Sequence, residues 1–152
     1  MHTSAAALHI RNARDTDAPD ICQLLQYMGY PQTAVHLIES NLQRFATDPQ
    51  ALTLVAEIEG QVCGFISMYL IPQMTCSGGY AHINFLCVDQ HHRSKGIGEQ
   101  LVLAAENFAR MQGCERVELH SSLHRQAAHQ FYLKLDYIES PKYFCKKLIS
   151  NT

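Results

Sequence analysis

The run Arg93-Ser94-Lys95-Gly96-Ile97-Gly98 constrains this chain more than any other, because of what stands on either side of it. Before it, Tyr80–Val88 is apolar except at His82 and Asn84 and reads as a strand. After it, Ile97, Leu101, Ala104, Ala105, Phe108 and Met111 recur at helical spacing, which predicts a helix from about Gly96 to Gln112, ended by Gly113. A strand that turns directly into an amphipathic helix belongs to an α/β layer architecture. The turn itself is suited to an anion. The first helical turn leaves N–H groups without partners and carries the positive end of the helix dipole. Gly96 and Gly98 let backbone approach closely, and Arg93 and Lys95 add full charges, so the run reads as a pyrophosphate cradle. Taken alone it is also compatible with a plain strand-to-helix turn. A Walker loop is absent, and a dinucleotide fingerprint lacks its third glycine, because Glu99, Gln100 and Leu101 follow Gly98.

The rest of the chain alternates in kind. Leu8–Arg14 reads as a strand. Asp15-Thr16 offers caps for a helix carrying Ile21, Leu24, Leu25 and Met28, broken by Gly29-Tyr30-Pro31. A second helix near Thr33–Ala46 carries Val35, Ile38, Leu42 and Phe45 and stops at Asp48-Pro49. Leu52–Ile58 alternates strictly, Glu59-Gly60 is a two-residue hairpin turn, and Val62–Ile71 is the partner strand. Pro72 and Gly78-Gly79 bound an expected loop. Arg116–His120 reads as a strand, Arg125–Leu135 as a helix, and Tyr137–Glu139 and Tyr143–Leu148 as short closing strands. These elements predict a mixed α/β (α+β) fold, with a sheet of about seven strands flanked by about four helices.

Length and composition narrow the partners. The 152 residues suit a single domain over 1–152, and a formal charge of −2 argues against broad nucleic-acid binding. No apolar run approaches the ~18 residues of a membrane span. Met1–Leu8 lacks the basic and apolar regions of a secretion signal. Cys22, Cys63, Cys76, Cys87, Cys114 and Cys145 form no CxxC pair and read as reduced core thiols, so a cytoplasmic protein is expected. His91/His92 and His124/His129 have no Cys or acid at ligand spacing, and no metal is expected.

Two separated stretches resemble one family. The run Phe85–Gly98 resembles the acetyl-CoA-binding segment of the GNAT superfamily of N-acetyltransferases, of the form [QR]-x-x-G-x-[GA] after a hydrophobic strand. Ala128-His129-Gln130-Phe131-Tyr132 followed by Leu135-Asp136-Tyr137 is similar to that family's A-x-x-F-Y-x-x-x-G-[FY]. Glu118–Arg125 also looks like the lead-in of its small-molecule branches. The chain departs at Asp136, where glycine is usual, and at Asn84, where many relatives carry a glutamate that acts as general base or holds its water. Asp tolerates a left-handed backbone better than most residues.

The resemblance implies the GNAT fold, with the sheet splayed between its fourth and fifth strands and pantetheine lying in the gap. Main-chain groups of Leu86, Cys87 and Val88 are then expected to bond its amides. An N–H near Val88 would polarise the thioester carbonyl. The phosphates fall to Arg93, Ser94, Lys95, Gly96, Ile97, Gly98 and Glu99, with Ala128, Phe131 and Tyr132 contributing to the coenzyme from the last helix; Arg125, at the start of that helix, reaches a coenzyme phosphate or the acceptor, or is a solvated helix-end arginine. Tyr132 is the expected general acid for the departing thiolate, since a phenol near 10 and a thiol near 8.5 are not badly mismatched. An acceptor amine with pKa of about 10.4 is roughly 0.1% neutral near pH 7.4, so a proton path helps. His82, Asn84 through water, and His120 are candidates, beside a water chain with no dedicated base. Tyr27 and Tyr30 stand where acceptor pockets are often lined. The expected activity is acetyl transfer from acetyl-CoA to a primary amine, a small molecule rather than a protein, through a ternary complex. A non-catalytic acyl-CoA sensor on the same fold is the alternative that Asn84 favours. An edge strand open to homodimer pairing is also implied.

Overall fold

A computed structural model describes residues 6–93, 95–121, 126–140 and 144–149. It resolves into two compact bodies, one ending at His120 and one beginning at Ser121. In the first, β1 (Leu8–Asn12) leads through a single 3-10 turn, Asp15–Asp17, into α1 (Ala18–Met28) and α2 (Val35–Ala46). Then come β2 (Ala51–Ile58), β3 (Gln61–Gln73), β4 (Cys76–Val88), α3 (Ile97–Met111) and β5 (Val117–Leu119). The sheet order is β1-β2-β3-β4-β5. The first four strands are antiparallel and β5 joins β4 in parallel after the α3 crossover. The second body contains α4 (Gln126–Lys134). Among the described residues no helix is long and apolar enough to cross a membrane.

Local chemistry accounts for most of this. Glu59 and Gly60 take φ of 52° and 77°, the doubly left-handed turn whose twist matches an antiparallel hairpin. Ahead of α1, the buried Asp17 carboxylate accepts from the Arg14 N–H at 2.8 Å and from both Arg11 terminal nitrogens at 2.8 and 2.9 Å. Arg11 Nε also reaches Glu57 at 2.9 Å, so one guanidinium ties β1, β2 and the entrance to α1 together. α1 and α3 end alike: Tyr30 N–H donates to the Leu25 carbonyl, and Cys114 N–H to that of Ala109, around left-handed glycines 29 and 113. α4 ends the same way on a non-glycine. Tyr137 N–H reaches the Tyr132 carbonyl at 3.0 Å, Asp136 N–H reaches that of Leu133 at 3.1 Å, and Asp136 holds φ 68°. The position where the resemblance expects glycine is therefore filled by an aspartate in a left-handed conformation.

The core has two faces. On one, Ile21, Leu24, Leu25, Ile38 and Leu42 of α1 and α2 pack with Val55, Val62, Phe65 and Cys87. On the other, α3 passes so close that a Cβ at Gly64 would meet Leu101 and Ile97 at 3.4 and 3.5 Å.

Several expectations are corrected. The Pro72–Gly79 loop does not exist. β3 runs to Gln73 and β4 starts at Cys76, so only Met74-Thr75 turns. Pro72 falls at an irregularity in the register, where its missing N–H costs nothing. Gly78 lies in the strand because a Cβ there would overlap the Gly113 carbonyl oxygen. In α3, Val102 and Ala109 are buried whereas Met111 is 83% exposed. The buried row 97–101–105–109 drifts about 40° around the axis at each step, away from position 111. At the chain's end, residues 137–140 and 144–149 form no strand, and Ile138 and Phe144 are exposed. Apolar alternation specifies a face, but a strand also needs a partner ladder. The described sheet therefore has five strands rather than about seven. Tyr143 lies outside the described residues.

Candidate active site

β4 carries the centre of the site. Its register against β3 shifts between Ser67↔Phe85 and Met68↔Ile83, which makes Asn84 the extra residue of a bulge. A bulge bends its strand and increases the local twist. On the opposite side, the ladder with β5 covers only Ala81, Ile83 and the residue between them, ending at Ile83↔Leu119. From Asn84 to Val88 that edge of β4 has no strand partner among the described residues. The expected splay between the fourth and fifth strands thus begins at the bulge. Leu86, Cys87 and Val88 still pair with Ile66, Phe65 and Gly64 of β3, so the open edge is held rigidly from one side.

The edge leads into the turn. Asp89 pins the exit: its N–H donates to the Cys63 carbonyl at 2.7 Å, and its carbonyl and Oδ1 accept from the His92 and His91 N–H groups at 2.9 and 3.0 Å. Burial raises the Cys63 thiol above its ordinary pKa, so it stays neutral beneath the turn. Gly96 is the N-cap of α3, left-handed at φ 77° and without a side chain to cap the helix. The first helical hydrogen bond runs from Gln100 N–H to the Gly96 carbonyl, leaving the amides of Ile97, Gly98 and Glu99 ahead of it. Arg93, Lys95, Gly96 and Glu99 are exposed, Gly98 is half-buried, and Ile97 anchors the turn in the core at 2% exposure. A Cβ at Gly96 would meet nothing within 4 Å. Among the described residues no carboxylate pairs with Arg93 or Lys95. Free amides at a helix N-terminus beside two cations suit an anion.

At the other end of the open edge, three predicted residues come together. Asn84 Oδ1 lies 2.9 Å from His82 Nδ1, and His82 Nε2 lies 3.2 Å from His120 Nδ1. His120 follows β5 directly. Alongside, Tyr30 meets the Phe85 ring edge-on at 5.5 Å, and Phe85 leans on Phe65. Tyr27 goes elsewhere. It sits in the last turn of α1 and lines a cleft of about 190 Å³ with Asp20, Gln61, Asp89 and His91. Tyr30 does not line that cleft.

In the second body, Ala128, Phe131 and Tyr132 lie on α4, with the Tyr132 ring between Phe131 at 5.2 Å and Tyr137 at 5.8 Å. Ser94 and Arg125 lie outside the described residues. Two contributors escaped the sequence reading: Phe85, which seats Tyr30, and the bulge itself. Phe85 is an apolar residue in an apolar strand, and a bulge shows only in the pairing with β3.

Comparison with known proteins agrees with this geometry. A family model described as Acetyltransferase (GNAT) family matches residues 17–137. The aminoalkylphosphonate N-acetyltransferase of Salmonella typhimurium is 35% identical over 101 residues, which span 66% of each chain. An uncharacterized N-acetyltransferase of Bacillus subtilis is 29% identical over 135 residues, covering 87% of this chain and 91% of its own. Among solved structures, an aminoglycoside N-acetyltransferase in complex with CoA superposes with a TM-score of 0.84 at 16% identity. That match covers 98% of this chain and all of the other, and shows the fold.

Proposed function

The chain belongs to the acetyltransferase (GNAT) family, and from that premise we propose that it moves an acetyl group from acetyl-CoA to the primary amine of a small molecule, by direct attack in a ternary complex. The observation that carries this is the continuity of one surface: the open β4 edge runs from the Asn84 bulge straight to the uncapped amides of α3. Residues 1–152 act as one domain in this proposal.

Acetyl-CoA supplies the activated acyl group. The amides of Ile97, Gly98 and Glu99, with Arg93, Ser94 and Lys95, hold its diphosphate by charge-assisted hydrogen bonds. The open edge of Leu86–Val88 offers main-chain groups to its pantetheine amides. A Val88 amide directed at the thioester oxygen stabilises the charge that builds there. Arg125, Ala128 and Phe131 complete the coenzyme contacts, and Tyr132 donates the proton that the leaving thiolate needs. His82, Asn84 and His120 form the proton path for the acceptor, and Tyr30 on Phe85 borders the acceptor side.

The acetyltransferases named for aminoalkylphosphonates and aminoglycosides support a small-molecule acceptor over a protein one. The described cysteines are free thiols, which supports a cytoplasmic setting. The test is a screen of acetyl-CoA against aminoalkylphosphonates, aminoglycosides, aminosugars and peptide amines, following thiol release. Turnover with a small amine is expected. Coenzyme A binding with no turnover across all classes would instead favour a sensor.

A further inference from the structure

The His82 and His120 rings meet where the β4–β5 ladder ends, although they stand 38 positions apart in the chain. We infer that this pair binds one divalent transition ion of the zinc and copper class, held by His82 Nε2 and His120 Nδ1 and completed by water. A pair so far apart in sequence leaves no trace in ligand spacing.

Two distances carry the inference. Zinc sits about 2.0–2.1 Å from an imidazole nitrogen, so two imidazoles at a tetrahedral angle put their nitrogens about 3.3 Å apart and their ring centres about 5.2 Å apart. His82 Nε2 and His120 Nδ1 are 3.2 Å apart, and the ring centroids are 5.1 Å apart with the planes at 51°. A straight N–H···N contact of that length would hold the ring centres about 5.5 Å apart, since each nitrogen lies about 1.15 Å from its ring centre. The rings are therefore bent about the contact, as two ligands of one ion are.

The donor set suits such an ion. Imidazole nitrogen is a ligand for zinc, copper and nickel, whereas magnesium and calcium take oxygens. The amide oxygen of Asn84, 2.9 Å from His82 Nδ1, can only accept, so His82 carries its hydrogen on Nδ1 and its lone pair on Nε2. A ligating histidine donates its other N–H to an oxygen in this way, which fixes the ring and raises its basicity. The ion displaces the hydrogen that joins the two rings, because a coordinating nitrogen must be deprotonated. His120 makes a further interaction as well, and the site uses only the nitrogen that already faces His82. His120 is exposed and His82 half-buried, so an ion reaches the pair from solvent.

The neighbouring carboxylates have other partners. Glu118, the β5 partner of His82, accepts from Arg116 at 2.8 Å. Tyr69, the β3 partner, donates its hydroxyl to Asp48. Among the described residues no three His, Cys, Asp or Glu side chains gather into a metal-binding set. The protein therefore supplies two ligands, and the remaining positions of a tetrahedral ion fall to water. Such a site loads and unloads with the surrounding ion concentration. Resting on the proton path proposed above, its effect is to block acetyl transfer, because the ion occupies the imidazole lone pairs that the path uses.

Titration calorimetry of zinc chloride into the full chain tests the site. One ion per chain is expected at the tightest site. Asn84→Leu should weaken it about tenfold, Asn84→Asp should hold or tighten it, and His82→Ala and His120→Ala should each weaken it by more than Asn84→Leu. With one equivalent of copper(II), the electron paramagnetic resonance spectrum should show two imidazole nitrogens in the wild type and one in His120→Ala. Zinc that does not bind, or that binds His120→Ala and Asn84→Leu as it binds the wild type, overturns the inference. So does a loss that follows His91→Ala instead, which would put the ion at the exposed histidine beside Asp89. With the amine that the wild type turns over fastest, zinc should slow amide formation and a chelator should restore it. The amide is followed because a free thiol also binds zinc. Zinc held by the pair with turnover unchanged overturns the blocking effect and the proton path beneath it, but not the ion site. A wild type that acetylates nothing overturns the acetyl-transfer reading, and the calorimetry still decides the ion site.

Discussion

Replacing Asp17 by Asn tests whether the entrance to α1 is held by charge. Asp17 is 6% exposed and accepts three hydrogen bonds, two from Arg11 and one from the Arg14 amide. Breaking a buried ion pair costs about 3–5 kcal/mol, mostly from the charge left behind. Here Arg11 keeps Glu57 at 2.9 Å, so the stranded charge is still partly compensated. The expected loss is therefore at the low end, about 3 kcal/mol or roughly a hundredfold in the folding constant, which for a chain of this size lowers Tm by about 6–12 °C. The sign with pH follows from the carboxyl. Burial alone would raise its pKa, but the Arg11 hydrogen bonds, the Arg14 amide and the nearby charges outweigh that and lower it. A lowered folded-state pKa gives stability that is present above the unfolded carboxylate value near 3.9 and is lost as pH falls through the folded value. The gap between wild type and Asp17→Asn should be widest at neutral pH and close progressively below about pH 4. Urea unfolding followed by circular dichroism at pH 7 and pH 3 measures both. A loss under 1 kcal/mol at pH 7, or a gap that does not narrow in acid, would refute the reasoning.

Two glycines should separate clash from strain. Gly78→Ala forces a Cβ into the Gly113 carbonyl and should cost several kcal/mol or abolish soluble expression. Gly96→Ala meets no neighbour within 4 Å and should cost only the left-handed penalty of about 1–2 kcal/mol, read by thermal melts. Asp136→Gly relieves the same penalty at the α4 cap and should raise stability by up to about 1 kcal/mol; an unchanged or lower Tm would count against the cap. Tyr132→Phe should keep coenzyme A affinity by titration calorimetry and lower turnover, and an unchanged kcat would remove Tyr132 from the chemistry.

Most helix and strand positions were legible in the sequence because periodicity and turn residues are local. Glu59-Gly60 announces its hairpin, and Gly29 and Gly113 announce their helix ends. The strand-to-helix turn was equally legible, since a strand, two glycines, two cations and a helix start stand in one contiguous run. His82, Asn84 and His120 could be nominated one by one, but not as a connected line. Their meeting depends on a bulge that inserts one residue into β4 and on a parallel ladder that stops at Leu119.

What the sequence determined by itself was therefore most of the helices and strands before Leu135 and the strand-turn-helix order around Arg93–Gly98, because both are written in neighbouring residues. The tertiary structure alone decided strand register, which α3 side chains are buried, why Gly78 must lack a side chain, and that Asn84, His82 and His120 meet. Each of these is a pairing between segments far apart in the chain, and the preferences of single residues carry no information about their distant partners.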